Sequence, residues 1–123
     1  MKIENIKFKA KSIYNDEWVY GDLLHQSDGT HIFMGKGEGG HTLCPRVDPS
    51  SVCMFTGLKD CEGKEVWEGD ILEGPHKEEI CFYQGAFVIH SIGDDTFSSL
   101  FNYTTWDGKI TCKVIGNKFD KKK

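Results

Sequence analysis

The sequence lacks any apolar run near the roughly 18 residues that a membrane-crossing helix requires, so no membrane span is expected. Its opening stretch, MKIENIKFKAKSIY, has no continuous apolar segment of the secretory kind, and no export signal is expected there. Proline is scarce, with three in 123 residues, and no Pro/Ser-rich linker or low-complexity tract divides the chain. A single domain over 1–123 is therefore expected, with 118–123 as a frayed tail. Basic charge is also short: 15 Lys and Arg stand against 19 Asp and Glu, a net charge of -4. A protein that neutralises many phosphates needs a cationic surface, and the only basic block is the closing NKFDKKK. That charge balance disfavours nucleic acid as a partner.

Cysteine is present, but not in the paired C-x-x-C spacing of a structural zinc site. Cys44, Cys53, Cys61, Cys81 and Cys112 make an odd number in a chain with no visible export signal. A reduced, cytoplasmic setting in a bacterial host cell is the expectation.

Strand signals are what the sequence does have. NIKFKA alternates Ile6 and Phe8 with Lys7 and Lys9; EWVYGDLLH, THIFMG and GKITCKVIGN carry similar β-rich patterns. EEICFYQGAFVIHSI reads as a hairpin turning near Gln84–Gly85. Asp48 before Pro49 suits an N-cap and first position, so a helical turn is expected there. The stretch 97–103 is open between helix and strand, because so few residues do not separate the two periods. The fold class expected is mainly β: a small barrel or sandwich with a long Gly-rich loop over 35–51 and one or two short helical turns.

WVYGDLL, Trp18 to Leu24, is echoed by VWEGDIL, Val66 to Leu72, which aligns Gly21–Asp22 with Gly69–Asp70. Glycine admits a positive φ and the following carboxylate bonds nearby backbone N–H groups, so both pairs are expected to form bends between strands.

The stretch VDPSSVCMFTGLKDCEGKEVWEGDIL resembles the hallmark segment of the YopX family of phage and prophage proteins. The matching positions are Val47, Asp48, Pro49, Phe55, Thr56, Gly57, Leu58, Lys59, Asp60, Gly63, Lys64, Glu68, Gly69, Asp70 and Ile71. Tyr20, Gly21, Asp22 and Leu23 upstream, and Val114, Ile115, Gly116 and Asn117 downstream, fall where the family has short motifs. The resemblance covers nearly the whole chain and departs from the family pattern in Gly35–Gly40 and after Asn117. It implies a mostly β, phage- or prophage-encoded protein and supplies no catalytic residue. The motif residues are expected to be structural.

Each chemical motif is weak on its own terms. GKGEGG satisfies G-x-G-x-x-G at Gly35, Gly37 and Gly40, but two prolines and no helical period follow it, so no helix N-terminus awaits a pyrophosphate. His25, His31, His41, Cys44 and Cys53 offer only one close pair, His41-x-x-Cys44, and neither zinc nor another cofactor is expected. Cys44 with His41 lacks an orienting third group for nucleophilic work. Asp22, Asp60 and Asp70 suit acid–base or cation chemistry on paper, but each follows or approaches a turn glycine where backbone capping accounts for it.

The aromatic residues suggest a stacking platform, which in single-strand binders is joined to a basic groove. Most rings are expected in the core, with Tyr83, Tyr103 and Trp106 the exposed contacts. A non-enzymatic protein-interaction module, binding another protein or itself, is the expected function. The alternative is a weak single-stranded nucleic-acid-binding accessory in phage replication or gene regulation.

Overall fold

The computed structural model describes residues 2–120, which fall into two compact units divided between Phe55 and Thr56. It is mainly β throughout. Among the described residues, helix is limited to single 3-10 turns at Ile3–Asn5, Glu38–Gly40, Pro49–Ser51 and Leu100–Tyr103. The sheets are antiparallel and open-ended, so the expected barrel does not close.

The first unit contains β1 (Phe8–Lys11), β2 (Trp18–Gln26), β3 (Gly29–Phe33), β4 (Gly35–Lys36), β5 (Thr42–Leu43) and the start of β6 (Cys53–Lys59). Its sheet runs in the order β3-β2-β1-β6. Period-two alternation in β1 sends Phe8 and Ala10 to the core with Ile32, Val47, Val19, Leu23 and Val52. Lys9 and Lys11 take the opposite face, where their ammonium groups lie 4.4 and 4.6 Å from the Trp18 ring. Both lysines are buried, their stems covering apolar surface.

The expected bend at Gly21–Asp22 is absent. β2 runs unbroken through it, and the strand instead changes partner there. Gly21 pairs with Phe8 on β1, and the next residue, Asp22, pairs with Phe33 on β3. A side chain on Gly21 would fall well inside van der Waals contact with the Phe33 carbonyl. Glycine is needed here for close approach of two backbones, not for a turn.

The 35–51 segment is less open than expected. β4 pairs with β5, and Asp48 caps the turn Pro49–Ser51 by accepting from the Ser50 N–H at 3.0 Å.

The second unit contains the end of β6, then β7 (Glu65–Trp67), β8 (Asp70–Leu72), β9 (Glu78–Tyr83), β10 (Ala86–Ser91), β11 (Thr96–Ser99) and β12 (Val114–Asn117). Five of these strands form a sheet in the order β11-β10-β9-β8-β12. Val66, Leu72, Ile80, Ile89, Leu100, Ile110 and Val114 form its core, with Leu58, Phe87, Tyr103 and Cys112 packed against them. Gln84 and Gly85 both have positive φ, 50° and 83°, the pair of values that closes a two-residue hairpin without splaying its strands.

The ambiguous 97–103 stretch is both things in turn. It begins as β11 and becomes a 3-10 turn at Leu100, capped by the Ser99 hydroxyl accepting from the Phe101 N–H. Of the tail 118–123, residues 121–123 lie outside the described residues. The Lys118 N–H donates to the Gly69 carbonyl, and the Lys118 ammonium sits 3.0 Å from the Glu79 carboxylate.

Candidate functional site

The carboxylates singled out by the sequence divide into two kinds. Asp22 is exposed on β2 in the first unit. Asp60 and Asp70 are buried in the second, each hydrogen-bonded to donors of its own unit.

Asp60 Oδ1 accepts from the Glu62 and Lys64 N–H groups, both at 2.9 Å, and Oδ2 accepts from the Val114 N–H at 3.0 Å. Burial pushes its pKa up, but the N–H donors of Val114, Lys64 and Glu62 outweigh that and hold it below the ordinary value. Asp60 thereby pins the turn before β7 to a strand 54 residues later.

Asp70 Oδ2 accepts from the Trp67 N–H at 2.8 Å, and Oδ1 accepts from the Asn117 amide at 2.9 Å. The same Asn117 amide reaches the Glu68 carbonyl at 3.1 Å, and its oxygen accepts from the Phe119 N–H. Gly69, at φ 86°, turns the chain between β7 and β8 and packs against the Asn117 side chain. Gly69–Asp70 and Gly116–Asn117, distant in the sequence, thus meet as one corner on the paired strands β8 and β12. Asp60 accepts three backbone N–H donors, and Asp70 accepts one backbone N–H and one side-chain amide. Their chemistry is that of a clamp.

The other motif residues divide between bonded, buried and exposed positions. The Thr56 hydroxyl donates to the Val66 carbonyl at 2.7 Å and accepts from the Leu58 N–H across Gly57. Phe55 is buried, with the Lys7 ammonium 4.6 Å from its ring, while Lys59 and Tyr20 are exposed. The His31 imidazole lies 3.1 Å from both the Cys44 carbonyl and Asp28. Among the described residues, no group of three His, Cys, Asp or Glu side chains comes together as a metal cage.

The rings expected at the surface behave differently from one another. Trp106 is 99% exposed and Tyr83 46% exposed. Tyr103 is half-buried and packs on the core, so it is not one of the open contacts. Trp106 stands on a tight turn in which the Gly108 N–H donates to the Thr105 carbonyl and the Thr105 N–H to the Lys109 carbonyl.

The outer face of β9–β10–β11 carries an arrangement that the sequence did not reveal. Direct pairing puts Tyr83, His90 and Phe97 on the side opposite Ile80 and Ile89. The Tyr83 and Phe97 rings stack at 4.7 Å and 11°, and Phe97 and His90 stack at 4.5 Å and 12°. The two-residue hairpin makes Tyr83 and Ala86 a hydrogen-bonded pair, and alternation then makes His90 and Phe97 a non-bonded pair. Side chains come closest in such pairs, which accounts for the close stacking of His90 on Phe97. His90 Nε2 lies 2.6 Å from the Asp95 carboxylate.

Glu79 shares this face. Burial first, and the neighbouring Glu79 carboxylate second, push the Cys81 thiol up to about 11. A thiol that holds its proton so firmly is a poor nucleophile.

A family model described as "YopX protein" matches residues 1–122. No curated protein matches the chain.

Proposed function

Because the chain belongs to the YopX protein family, whose description names no reaction, we propose that it is a phage-encoded, non-enzymatic protein-interaction module. The observation that carries this reading is the solvent-facing stack of Tyr83, Phe97 and His90 on an open sheet face. Aromatic side chains with an apolar body and a polar tip are the residues that anchor protein contacts. β11 ends its sheet, leaving backbone groups along one edge for a partner. The buried carboxylates support the same reading, since Asp60 and Asp70 are occupied in holding turns.

The stack also favours a second reading, a single-stranded nucleic-acid accessory, because bases stack on such rings. The surroundings oppose it. Glu78, Glu79, Asp94 and Asp95 lie on these strands and their connecting loop, and the buried state of Lys9 and Lys11 withholds two cations from a phosphate chain.

Light scattering over a concentration series, with a pull-down from host lysate, tests the first reading. Retention of a partner or a dimer by the native chain, lost in a Tyr83→Ala/Phe97→Ala variant, is the expected result. A strictly monomeric chain that retains nothing refutes it. Short oligonucleotides titrated at low salt test the second, and absence of binding there disposes of it.

A further inference from the structure

We propose that the β9–β11 face receives an extended, arginine-bearing segment of a protein partner, which adds as a strand to the free edge of β11. This rests on the interaction reading above and names the class of partner.

The edge itself comes first. Because Tyr83 and Ala86 are a hydrogen-bonded pair, the residues of β10 that bond β11 are Ile89 and Ser91, opposite Ser98 and Thr96. Phe97 therefore directs its N–H and C=O, and Ser99 its N–H, away from β10 toward the open side, while the Ser99 C=O starts the 3-10 turn that follows. A strand laid along that edge has backbone partners waiting, and its alternate side chains emerge on the same face as Phe97.

Charge then selects the occupant. Of the carboxylates near the stack, Glu79 is ion-paired with Lys118 at 3.0 Å and Glu78 lies on the same side as Ile80, which leaves Asp94 and Asp95 on the loop that leads into β11. Asp95 is 83% exposed beside the stack. A cationic side chain meets both an acidic rim and the faces of stacked rings. Arginine suits the pair better than lysine, because its planar guanidinium lies flat on a ring while its N–H groups fork to a carboxylate. An acidic segment or a phosphate backbone is repelled by the same carboxylates.

The test uses the full chain and a labelled synthetic peptide of alternating arginine and valine, followed by fluorescence anisotropy at low and physiological salt. Companion probes are the same peptide with glutamate for arginine, and a short oligodeoxynucleotide. Three variants report on the three parts of the site. Phe97→Ala removes a ring, with an expected weakening of about fivefold, the size of one partly exposed cation–ring contact. Asp95→Asn removes charge while tolerating the φ of 55° at that position, and should weaken binding and flatten its salt dependence. Ser99→Pro removes an outward N–H at a residue whose φ of -64° already suits proline, and should cost more than about tenfold. Thermal melting of each variant confirms that it is folded.

Binding of the arginine peptide alone, with all three losses, is the expected result. No binding of that peptide, equal binding of the glutamate peptide or the oligonucleotide, or indifference to the variants overturns the inference. If the arginine peptide fails but the native chain still dimerises through Phe97, only the partner class falls. If neither occurs, the interaction reading falls with it.

Discussion

Replacing Asp60 by asparagine keeps the shape of the side chain and removes its charge, which makes it the sharpest test of the clamp. The native carboxylate accepts three backbone N–H bonds on two oxygens. An amide has one accepting oxygen and one donating nitrogen. With the oxygen toward Glu62 and Lys64, the NH2 meets the Val114 N–H, donor against donor, in a buried position. With the amide reversed, two N–H groups lose their acceptor instead. Hydrogen bonds to a charged group contribute about 1.5–3 kcal/mol each, and an unsatisfied buried donor costs about 1–3 kcal/mol. A loss of about 2–4 kcal/mol is therefore expected, with a fall in Tm on the order of 10–20 °C.

The pH dependence has a defined sign. The folded-state pKa of Asp60 is depressed, so its stabilisation is complete above the unfolded value near ~3.9 and is lost as pH falls through the lower folded value. Circular dichroism melts of the native chain and the Asn variant, from neutral to acid pH, measure both effects. The difference in stability should narrow as the native carboxylate is protonated. A variant that melts within about 2 °C of the native chain at neutral pH refutes the clamp, since even one lost charged bond exceeds that shift.

Other expectations follow from the same geometry. Asp70→Ala removes the carboxylate acceptor of the Trp67 N–H and one of the two acceptors of the Asn117 amide, and should lower stability by about 2–3 kcal/mol in urea denaturation; an unchanged midpoint contradicts the corner. Gly21→Ala drives a methyl into the Phe33 carbonyl and should cost more than about 3 kcal/mol, read as a collapsed melting temperature or failure to fold. Trp106→Phe should leave the melting curve within about 0.5 kcal/mol of native while removing the most quencher-accessible tryptophan emission, because Trp106 is exposed and Trp67 is buried. Cys81, with its thiol pushed up to about 11, should react with a disulfide reagent at pH 8 far more slowly than exposed Cys61; comparable rates, followed by mass spectrometry, contradict its placement.

Much of the fold was legible because alternation and turn chemistry are local. The alternation of Phe8 with Lys9 in NIKFKA, the Gln84–Gly85 hairpin and the Asp48–Pro49 turn all follow from neighbours within a few residues, although Ile6 lies before β1 and is exposed. The two Gly–Asp pairs were less so. They look alike as sequence, yet Gly69 needs a positive φ while Gly21 needs only the absence of a Cβ beside another backbone. Which of those demands operates depends on the strand lying opposite.

The candidate face was hidden for a related reason. Phe97 sits in a stretch, DDTFSSLFNY, whose period is too short to read, and its proximity to His90 and Tyr83 comes from register across three strands. The sequence by itself determined a β protein of the YopX family, with the Gln84–Gly85 hairpin and the Asp48–Pro49 turn. Tertiary structure alone decided that Asp60 reaches Val114, that Asp70 meets Asn117, and that three rings stack in the open. A side-chain period says which residues share one side of a strand. Only the burial of an entire core selects which strands lie next to each other, and in what register.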